Sequence, residues 1–415
     1  MKQFYTPDQK ILSFLETFRY MVNHCIRIGL QNNAHTLKRL CFLSYHELAQ
    51  YNEIPSYYKL CAISKAAGIL ANRKQSIKRG FDTKKPYLKR SILISCYGFR
   101  LKDRIFKIPL GDRKYFEIPL NNHSRQILSD NSLKINSFVL TPNHISITYS
   151  KEVTQIECTK TAGIDRNLRN LTVGNCKEVI QFDISKAVKI AENTKSVISS
   201  FKRNDSRIKK KLYSKYGTRR KNKTNQLLHK VSKTIVEYAT INRQSLVFED
   251  IRHIRKLYQK GNWQGRKYRG KMNSWSFSGI KKQIEYKARW NGIQVIQLSK
   301  GETRGTSTLC PRCGKRLQEQ RASRDLWCDT CQRWQDRDVI AVMNQSLRGL
   351  LRFSSSKGDA DEAMVQESGT PVILKVDASK LQSSGDFYHL EDVTEPCRKA
   401  SSLSLEKMSS LLEMK

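Results

Sequence analysis

The chain has 415 residues, enough for two or three domains with cores of their own. It carries 76 Lys and Arg against 37 Asp and Glu, a formal net charge of +39. Such an excess adds self-repulsion to the folded state and is typical of a protein whose partner is a polyanion. No apolar run approaches the roughly 20 residues that a membrane-spanning helix needs, and the N-terminus lacks the apolar stretch of a signal peptide. The composition therefore favours a soluble, cytoplasmic protein that binds nucleic acid over a membrane protein.

The first part of the chain changes from a helical to a β-type pattern. Up to about residue 80, apolar residues such as Ile11, Leu15 and Phe18 recur at helical spacing. From about residue 90, short runs of β-branched and aromatic residues follow, and two of them flank a plausible hairpin turn. We therefore predict a helical element for nucleic-acid recognition at 1–88, packed on or inserted into a β-barrel-like (wedge) domain at 89–158.

Residues 159–352 alternate between strand-like and helical patterns. Short apolar runs come first, followed by a long basic helical stretch and a strand that ends at Glu249. A helix near 277–291, another strand and a final helix starting near Asp336 complete the region. This order is typical of an α/β sheet of the RNase H-like type.

The tail at 353–415 differs in composition from the rest. It holds seven Lys and Arg against eleven Asp and Glu, which gives it a net charge of −4 and leaves +43 for residues 1–352. It is Ser-rich and has no sustained periodicity. We therefore predict that this acidic tail is disordered.

Two Cys-x-x-Cys pairs form the strongest single motif. Cys310 and Cys313 make the first pair, and Cys328 and Cys331 make the second, with fourteen residues between the pairs. Four thiolates at this spacing predict a closed tetrahedral Zn²⁺ site, although the separation falls just under the usual window for such pairs. Because four cysteines leave no open coordination position, we predict a structural zinc in a ribbon at 306–334.

Three acidic residues lie where a metal-dependent nuclease would need them. Asp165 lies in a predicted strand, Glu249 ends an apolar run, and Asp338 lies at the start of the last predicted helix. Each alone has a simpler explanation, as a turn residue or as a residue that caps a helix. Carboxylates at strand ends can hold Mg²⁺, and two such ions can clamp both oxygens of an in-line phosphodiester displacement. Together, their order predicts that they meet in one metal site.

Several short motifs carry a resemblance to a known family. They are Gly163-Ile164-Asp165, Val247-Phe248-Glu249-Asp250, Trp275-Ser276-Phe277, Tyr286-Lys287-Ala288, Thr306 to Gly314 and Asp336-Arg337-Asp338. In this order, across nearly half of the chain, they resemble the nuclease half of the TnpB family, the transposon-encoded OrfB proteins related to type V CRISPR effectors. The N-terminal half is similar only in layout.

The resemblance implies a RuvC-like nuclease domain with an inserted zinc ribbon. It implies that Asp165, Glu249 and Asp338 are the RuvC carboxylates and hold catalytic Mg²⁺ or Mn²⁺, with Asp336 as the alternative third position. It also implies a guide RNA and a target DNA as partners in a prokaryotic cytoplasm. In one respect the chain departs from the family, because Ile340 replaces the Asn of the usual Asp-x-Asn-Ala-Ala motif.

Two basic segments suit contacts with nucleic acid. The segment 202–223 is dense in Lys and Arg, and the segment 255–275 alternates cations with Tyr and Trp. Cations for phosphates and flat rings for bases are typical of a single-stranded nucleic-acid channel, although charge runs are usually solvated faces and Trp275 and Phe277 can equally pack in the core. The candidate nucleic-acid-binding residues are Lys209, Lys210, Lys211, Arg219, Arg220, Lys221, Arg266, Lys267 and Arg269.

The sequence leaves three functions open. The first, which we expect, is an RNA-guided, metal-dependent DNA endonuclease encoded by a transposon, in which the guide supplies specificity by base pairing. The second is a DNA-only transposase, whose usual motif order places Glu last, whereas Glu249 lies in the middle here. The third is a zinc-ribbon nucleic-acid-binding transposon regulator with weak or absent catalysis, which Ile340 keeps open.

Overall fold

The computed structural model describes residues 1–112, 114–201, 206–319, 323–352, 370–381 and 394–395. The chain divides into two compact units, 1–152 and 153–415. In the described ranges, no helix is both long enough and apolar enough to cross a membrane.

The first part of the first unit is mainly helical. Its helices are α1 (Gln9–Gln31), α2 (Leu37–Ser44), α3 (Ser56–Lys78) and α4 (Asn122–Leu128), with a 3-10 turn at Glu47–Gln50. Helix α1 begins after Asp8, whose carboxylate accepts a hydrogen bond from the backbone N–H of Ile11 at 2.7 Å. Its residues Ile11, Leu15 and Phe18 recur at helical spacing and are completely buried.

The strands of the first unit form two antiparallel sheets. They are β1 (Lys2–Phe4), β2 (Leu93–Ser95), β3 (Arg100–Lys102), β4 (Ile105–Gly111), β5 (Lys114–Pro119), β6 (Leu133–Leu140) and β7 (His144–Lys151). One sheet has the order β1-β7-β6-β2 and the other has the order β3-β4-β5. Alternate residues such as Phe138 and Leu140 point into the core that also holds α1 and α3. The helices and both sheets thus share one apolar core.

The second unit is built on a seven-stranded sheet. Its strands are β8 (Lys160–Arg166), β9 (Asn170–Gly174), β10 (Glu178–Asp183), β11 (Gln244–Phe248), β12 (Val295–Gln297), β16 (Val372–Asp377) and β17 (Thr394–Glu395), in the order β12-β11-β8-β9-β10-β16-β17. Strand β11 runs parallel to both β8 and β12, whereas β9 is antiparallel to β8 and β10. Strand β8 carries Asp165, and its parallel neighbour β11 ends one residue before Glu249.

Helices cover both faces of this sheet. They are α5 (Ser185–Ser200), α6 (Ser206–Ile241), α7 (Arg266–Ser274), α8 (Phe277–Trp290), α9 (Lys300–Thr303) and α10 (Arg337–Leu350), with a 3-10 turn at Ile254–Tyr258. Ala162 and Ile164 of β8 pack into a core with α6 and α8, while Thr161 on the opposite face donates a hydrogen bond to the backbone carbonyl of Ser346 in α10 at 2.7 Å. Side chains alternate along a strand, so Asp165 belongs to the face covered by α10.

A small three-stranded sheet lies between α9 and α10 in the sequence, and of the four paired cysteines Cys328 lies in one of its strands while Cys310, Cys313 and Cys331 lie outside them. Its antiparallel strands are β13 (Gln318–Glu319), β14 (Asp325–Cys328) and β15 (Arg333–Asp336), in that spatial order. We call residues 306–336 the cysteine module. Strand β15 leads directly into α10, so the module and the start of α10 are covalently adjacent.

The prediction of a disordered tail at 353–415 is wrong for two segments, Val372–Asp377 and Thr394–Glu395, which form paired strands. Residues Val372–Asp377 form β16, which extends the sheet by pairing in parallel with β10. Val376 and Ala378 are buried in the main core of the second unit, and their apolar burial is what orders this segment. Residues 353–369, 382–393 and 396–415 of the tail lie outside the described residues.

Candidate functional site

Three elements carry the three predicted carboxylates. Asp165 is the sixth residue of β8, Glu249 directly follows β11, and Asp338 is the second residue of α10. Strands β8 and β11 are parallel neighbours, and Ile164 lies opposite Phe248. Asp165 and Glu249 each come one residue after this pair, so they lie at the same end of the two strands.

The third element reaches the same edge because α10 packs tightly on β8. A Cβ atom at Gly163 would lie 2.2 Å from the carbonyl oxygen of Val342, so only glycine allows this approach. The backbone N–H of Ile164 donates a hydrogen bond to the side-chain oxygen of Gln345 at 2.8 Å. Both contacts fix the helix over the strand that carries Asp165.

Asp336 and Asp338 play different parts at the start of α10. The carboxylate of Asp336 caps the helix by accepting from the backbone N–H groups of Asp338 at 2.8 Å and Val339 at 3.2 Å. Asp338 is buried, and its charge raises the pKa of Asp165. Asp338 therefore faces the neighbouring carboxylate, while Asp336 is engaged with the backbone.

The electrostatics of the cluster oppose ionisation. Burial raises the pKa of Asp165 well above its usual range, and the charges of Glu249 and Asp338 raise it further. Burial also raises the pKa of Glu249, although the nearby Arg166 opposes this shift. Carboxylates brought together in a poorly hydrated site repel one another, and a cation would relieve that repulsion.

Four polar side chains that sequence reasoning missed hold these carboxylates. The guanidinium of Arg166 lies 3.4 Å from the Glu249 carboxylate, and Asn167 donates to Asp165 at 2.6 Å. Asn170 donates to Asp338 at 2.7 Å, and Arg324 pairs with the other oxygen of the same carboxylate. Arg166 and Asn167 adjoin Asp165 in the sequence, which is a weak indication that they belong to the site. Arg324 comes from the cysteine module, and nothing in the local sequence indicates its contact with Asp338.

The four cysteines form a compact cluster. Their sulfur atoms all lie within 4.8 Å of one another, with Cys310 and Cys331 at 3.9 Å and Cys313 and Cys328 at 3.5 Å. In the described ranges this is the one set of three or more His, Cys, Asp or Glu side chains that reaches this spacing. The cluster can thus hold a metal ion as it stands, whereas the three carboxylates lie farther apart, with Arg166 and Arg324 against two of them.

Ile340 faces the cysteine module. Its side chain is completely buried in a cluster with Cys310, Leu317, Leu326 and Cys328. The residue that departs from the family motif thus contributes apolar packing between α10 and the module.

The predicted nucleic-acid-binding residues lie on two helices. On α6, Lys209, Lys210, Lys211, Arg219 and Lys221 are exposed and Arg220 is half-buried, while on α7 Arg266 and Lys267 are exposed and Arg269 is half-buried. Trp275 and Phe277 are buried in the core, as the alternative interpretation held. Residues 202–205 of the first basic segment lie outside the described residues.

Comparison with known proteins supports the resemblance seen in the sequence. A family model described as "Cas12f1-like, TNB domain" matches residues 277–345. A TnpB-like protein of Methanocaldococcus jannaschii is 29% identical over 267 residues, which cover 59% of this chain and 91% of that protein. A second TnpB-like protein of the same organism is 24% identical over 341 residues, which cover 79% of this chain and 75% of that protein.

Similarity to solved structures is weak. A CRISPR-Cas12f ternary complex aligns with a TM-score of 0.36 and 11% identity, covering 81% of each chain. At that TM-score the likeness carries no weight in the assignment. The family model and the two relatives, together with the motifs from Gly163 to Asp338, show that the chain is similar to TnpB-like proteins.

Proposed function

We propose that the chain is an RNA-guided, metal-dependent DNA endonuclease with an RNase H-like (RuvC-type) site formed by Asp165, Glu249 and Asp338. The similarity to TnpB-like proteins and to the Cas12f1-like domain supports the class of transposon-associated RNA-guided nucleases. The observation that carries the proposal is that three elements of the fold bring these carboxylates together. Asp165 and Glu249 follow the paired residues Ile164 and Phe248 of the parallel strands β8 and β11, and α10, which carries Asp338, packs directly on β8 at Gly163. In agreement with this geometry, Glu249 and Asp338 both raise the pKa of the buried Asp165.

The donor set fits a hard divalent cation. Carboxylate oxygens are the ligands that Mg²⁺ and Mn²⁺ take in proteins, and Asp165, Glu249 and Asp338 would hold the catalytic ions. When bound, such ions stabilise the charge on the attacking and leaving oxygens of the phosphodiester.

The chain's own residues prepare this site in distinct ways. Arg166 is almost completely buried and donates to the backbone carbonyl of Glu249 at 3.1 Å, so it orients that residue. Asn167 and Asn170 each donate one amide hydrogen bond and fix one oxygen of Asp165 and of Asp338. In Asp338 the opposite oxygen is paired with Arg324, which an ion at that oxygen would have to displace.

We also propose that Cys310, Cys313, Cys328 and Cys331 bind one structural Zn²⁺. A tetrahedral ion with Zn–S bonds of about 2.3 Å requires sulfur atoms about 3.8 Å apart, and the contacts of 3.9 and 3.5 Å match this requirement. Hydrogen bonding from the Lys315 backbone and neighbouring thiols outweighs burial and lowers the pKa of Cys313 to about 7, whereas burial raises the pKa of Cys310 and raises that of Cys331 to about 12. Zinc binding would therefore have to release protons from these thiols. Cys328→Ser should lose the zinc found by elemental analysis, whereas Cys96→Ser, an exposed cysteine of the first unit, should retain it.

A guide RNA and a target DNA are the proposed partners. The charge of +43 on residues 1–352 exceeds the demand of a few phosphate contacts. On this proposal the first unit and the exposed cations of α6 and α7 hold the nucleic acids, while base pairing with the guide supplies the sequence specificity.

The test is cleavage directed by an exchanged guide. Protein purified with its bound RNA should cut a target matched to that RNA, and replacing the guide should move the cut. Asp165→Ala should reduce the cleavage rate on the order of 100-fold or more, because it removes a ligand of the catalytic ion. The control Asp183→Ala alters an exposed carboxylate at the end of β10 in the same sheet and should cut normally.

Two results would overturn the proposal. RNA-free protein that cuts a defined DNA site would favour a DNA-only transposase. Full cleavage by Asp165→Ala and Asp338→Ala would remove the assigned site, whereas an inactive Asp336→Ala beside an active Asp338→Ala would correct only the third residue.

A further inference from the structure

Two tryptophans form an aromatic pair on the cysteine module. Trp327 of β14 lies opposite Trp334 of β15 in the antiparallel register, and their ring centroids are 5.1 Å apart with an interplanar angle of 44°. Trp327 is half-buried, and Trp334 is 50% exposed. Side chains alternate across a strand, so Leu326 and Cys328 point to the opposite face, where they form the core of the module. The indoles are therefore not part of that core.

The pair lies next to the carboxylates along the same strands. Asp336 follows Trp334 by two residues, which is about 7 Å along a strand, and it pairs in register with Asp325. Asp336 in turn caps the helix that carries Asp338. A strand of nucleic acid held at Asp338 would thus pass close to the indoles.

Two cations close the same end of the module. The backbone N–H of Arg337 donates to the backbone carbonyl of Arg324 at 3.0 Å, and both residues are exposed. Exposed aromatic rings and arginines on one small module match the chemistry of a single-stranded nucleic acid, whose bases stack on aromatic faces while its phosphates attract cations. The charge of +43 on residues 1–352 favours the same polyanionic occupant.

We propose that Trp327 and Trp334 form a base-stacking platform that positions a single strand of nucleic acid beside the carboxylates. The inference rests on the proposed nuclease function and adds two positioning residues to it. Every base has a π-face, so the platform accepts a strand of any sequence. Specificity is left to the guide.

Binding of two matched oligonucleotides to the full-length chain tests this proposal. One probe is a fluorescein-labelled single-stranded DNA of 12 thymidines, and the other has the same backbone but abasic sites in its central positions. Fluorescence anisotropy is measured without added divalent cation, so that no cleavage occurs. Trp334→Ala should weaken binding of the thymidine probe about tenfold and change binding of the abasic probe less than twofold.

Conservative and matched variants separate stacking from folding. Trp334→Phe keeps an aromatic face and should retain most of the affinity lost in Trp334→Ala. Trp290→Ala changes another tryptophan of the same unit, which is 40% exposed, and should bind both probes as the wild type does. Zinc content measured on Trp334→Ala should equal that of the wild type, which shows that the module remains folded.

The proposal is overturned if Trp334→Ala binds the thymidine probe with wild-type affinity or loses the same affinity for both probes. An equal loss in Trp334→Phe or in Trp290→Ala would also overturn it. These outcomes are independent of the nuclease assignment: an inactive Asp165→Ala with normal probe binding by Trp334→Ala removes only the platform. An active Asp165→Ala removes the nuclease site and leaves the binding result standing.

Discussion

Asp165→Asn replaces the most perturbed carboxylate of the site by an amide of nearly the same shape. Burial, followed by the charges of Glu249 and Asp338, raises the pKa of Asp165 well above its ordinary value. A group with a higher pKa in the folded than in the unfolded protein holds its proton more tightly when folded. Its contribution to stability is therefore full at low pH and is lost as the pH rises through the folded pKa. Without metal at neutral pH, Asp165 therefore lowers the free energy of unfolding, whereas the uncharged Asn of the variant should not.

The metal-free variant should therefore melt above the wild type at pH 7.5, and the difference should shrink toward pH 4. Each 1 kcal/mol corresponds to about 2–4 °C in a domain of roughly 150–250 residues. Adding a divalent cation should reverse the order of the two melting temperatures, so that the wild type melts above the variant. At 100 times its dissociation constant it stabilises the wild type by about 2.7 kcal/mol, which is a rise of roughly 5–10 °C. The variant has lost one charged ligand and should show a much smaller rise.

Differential scanning calorimetry from pH 4 to pH 8, with and without Mn²⁺, measures both effects. Asp183→Asn is the control, because it removes an exposed carboxylate of the same sheet and should follow the wild type. The reasoning is refuted if Asp165→Asn melts at or below the wild type without metal across this range. It is refuted equally if the variant and the wild type gain the same stability from Mn²⁺.

Two further variants test the surroundings of the site. Arg324→Ala should enlarge the rise in melting temperature caused by Mn²⁺, because the guanidinium no longer competes with the ion for Asp338. The control is Arg337→Ala, which changes another exposed arginine of the same region. An unchanged rise in Arg324→Ala would contradict the prediction. Gly163→Ala should cost about 1–3 kcal/mol of unfolding free energy, because its Cβ would lie 2.2 Å from a backbone oxygen of α10. Gly217→Ala has open space within 4 Å and should be neutral or up to about 1 kcal/mol stabilising in chemical denaturation; equal losses would contradict the packing argument.

Much of the site can be read from local sequence. Leu246, Val247 and Phe248 are consecutive apolar residues and form a strand buried on both faces, which places Glu249 at its end. Asp338 lies just before the apolar run Val339 to Met343, which forms the buried first turns of α10. The cysteine spacing alone predicts the cluster, because each pair closes a tight turn and the two pairs need only a short sheet between them.

Other parts depend on contacts that no local pattern encodes. Strand β16 lies in an acidic, Ser-rich tail, yet Val376 and Ala378 reach the core because β10 has an edge that remains to be paired. Arg324 is an exposed arginine next to a strand, and its ion pair with Asp338 arises only when the module folds beside α10. Tertiary packing decides both, and it outweighs local composition.

The same packing links the cysteine cluster to the carboxylates. Ile340, two residues after Asp338, is buried among Cys310, Leu317 and Cys328. One turn later, Asn344 donates to the backbone carbonyls of Thr306 and Leu309, each at 2.8 Å. The start of α10 is thus held from the module by apolar contacts, by hydrogen bonds and by Arg324. Since metal binding at such a cluster is also folding free energy, zinc bound there would fix the orientation of Asp338 without approaching it. Ile340, which stands where the family motif has Asn, then strengthens the contact between α10 and the cysteine module. Asn170 from β9 supplies the amide that donates to the Asp338 carboxylate.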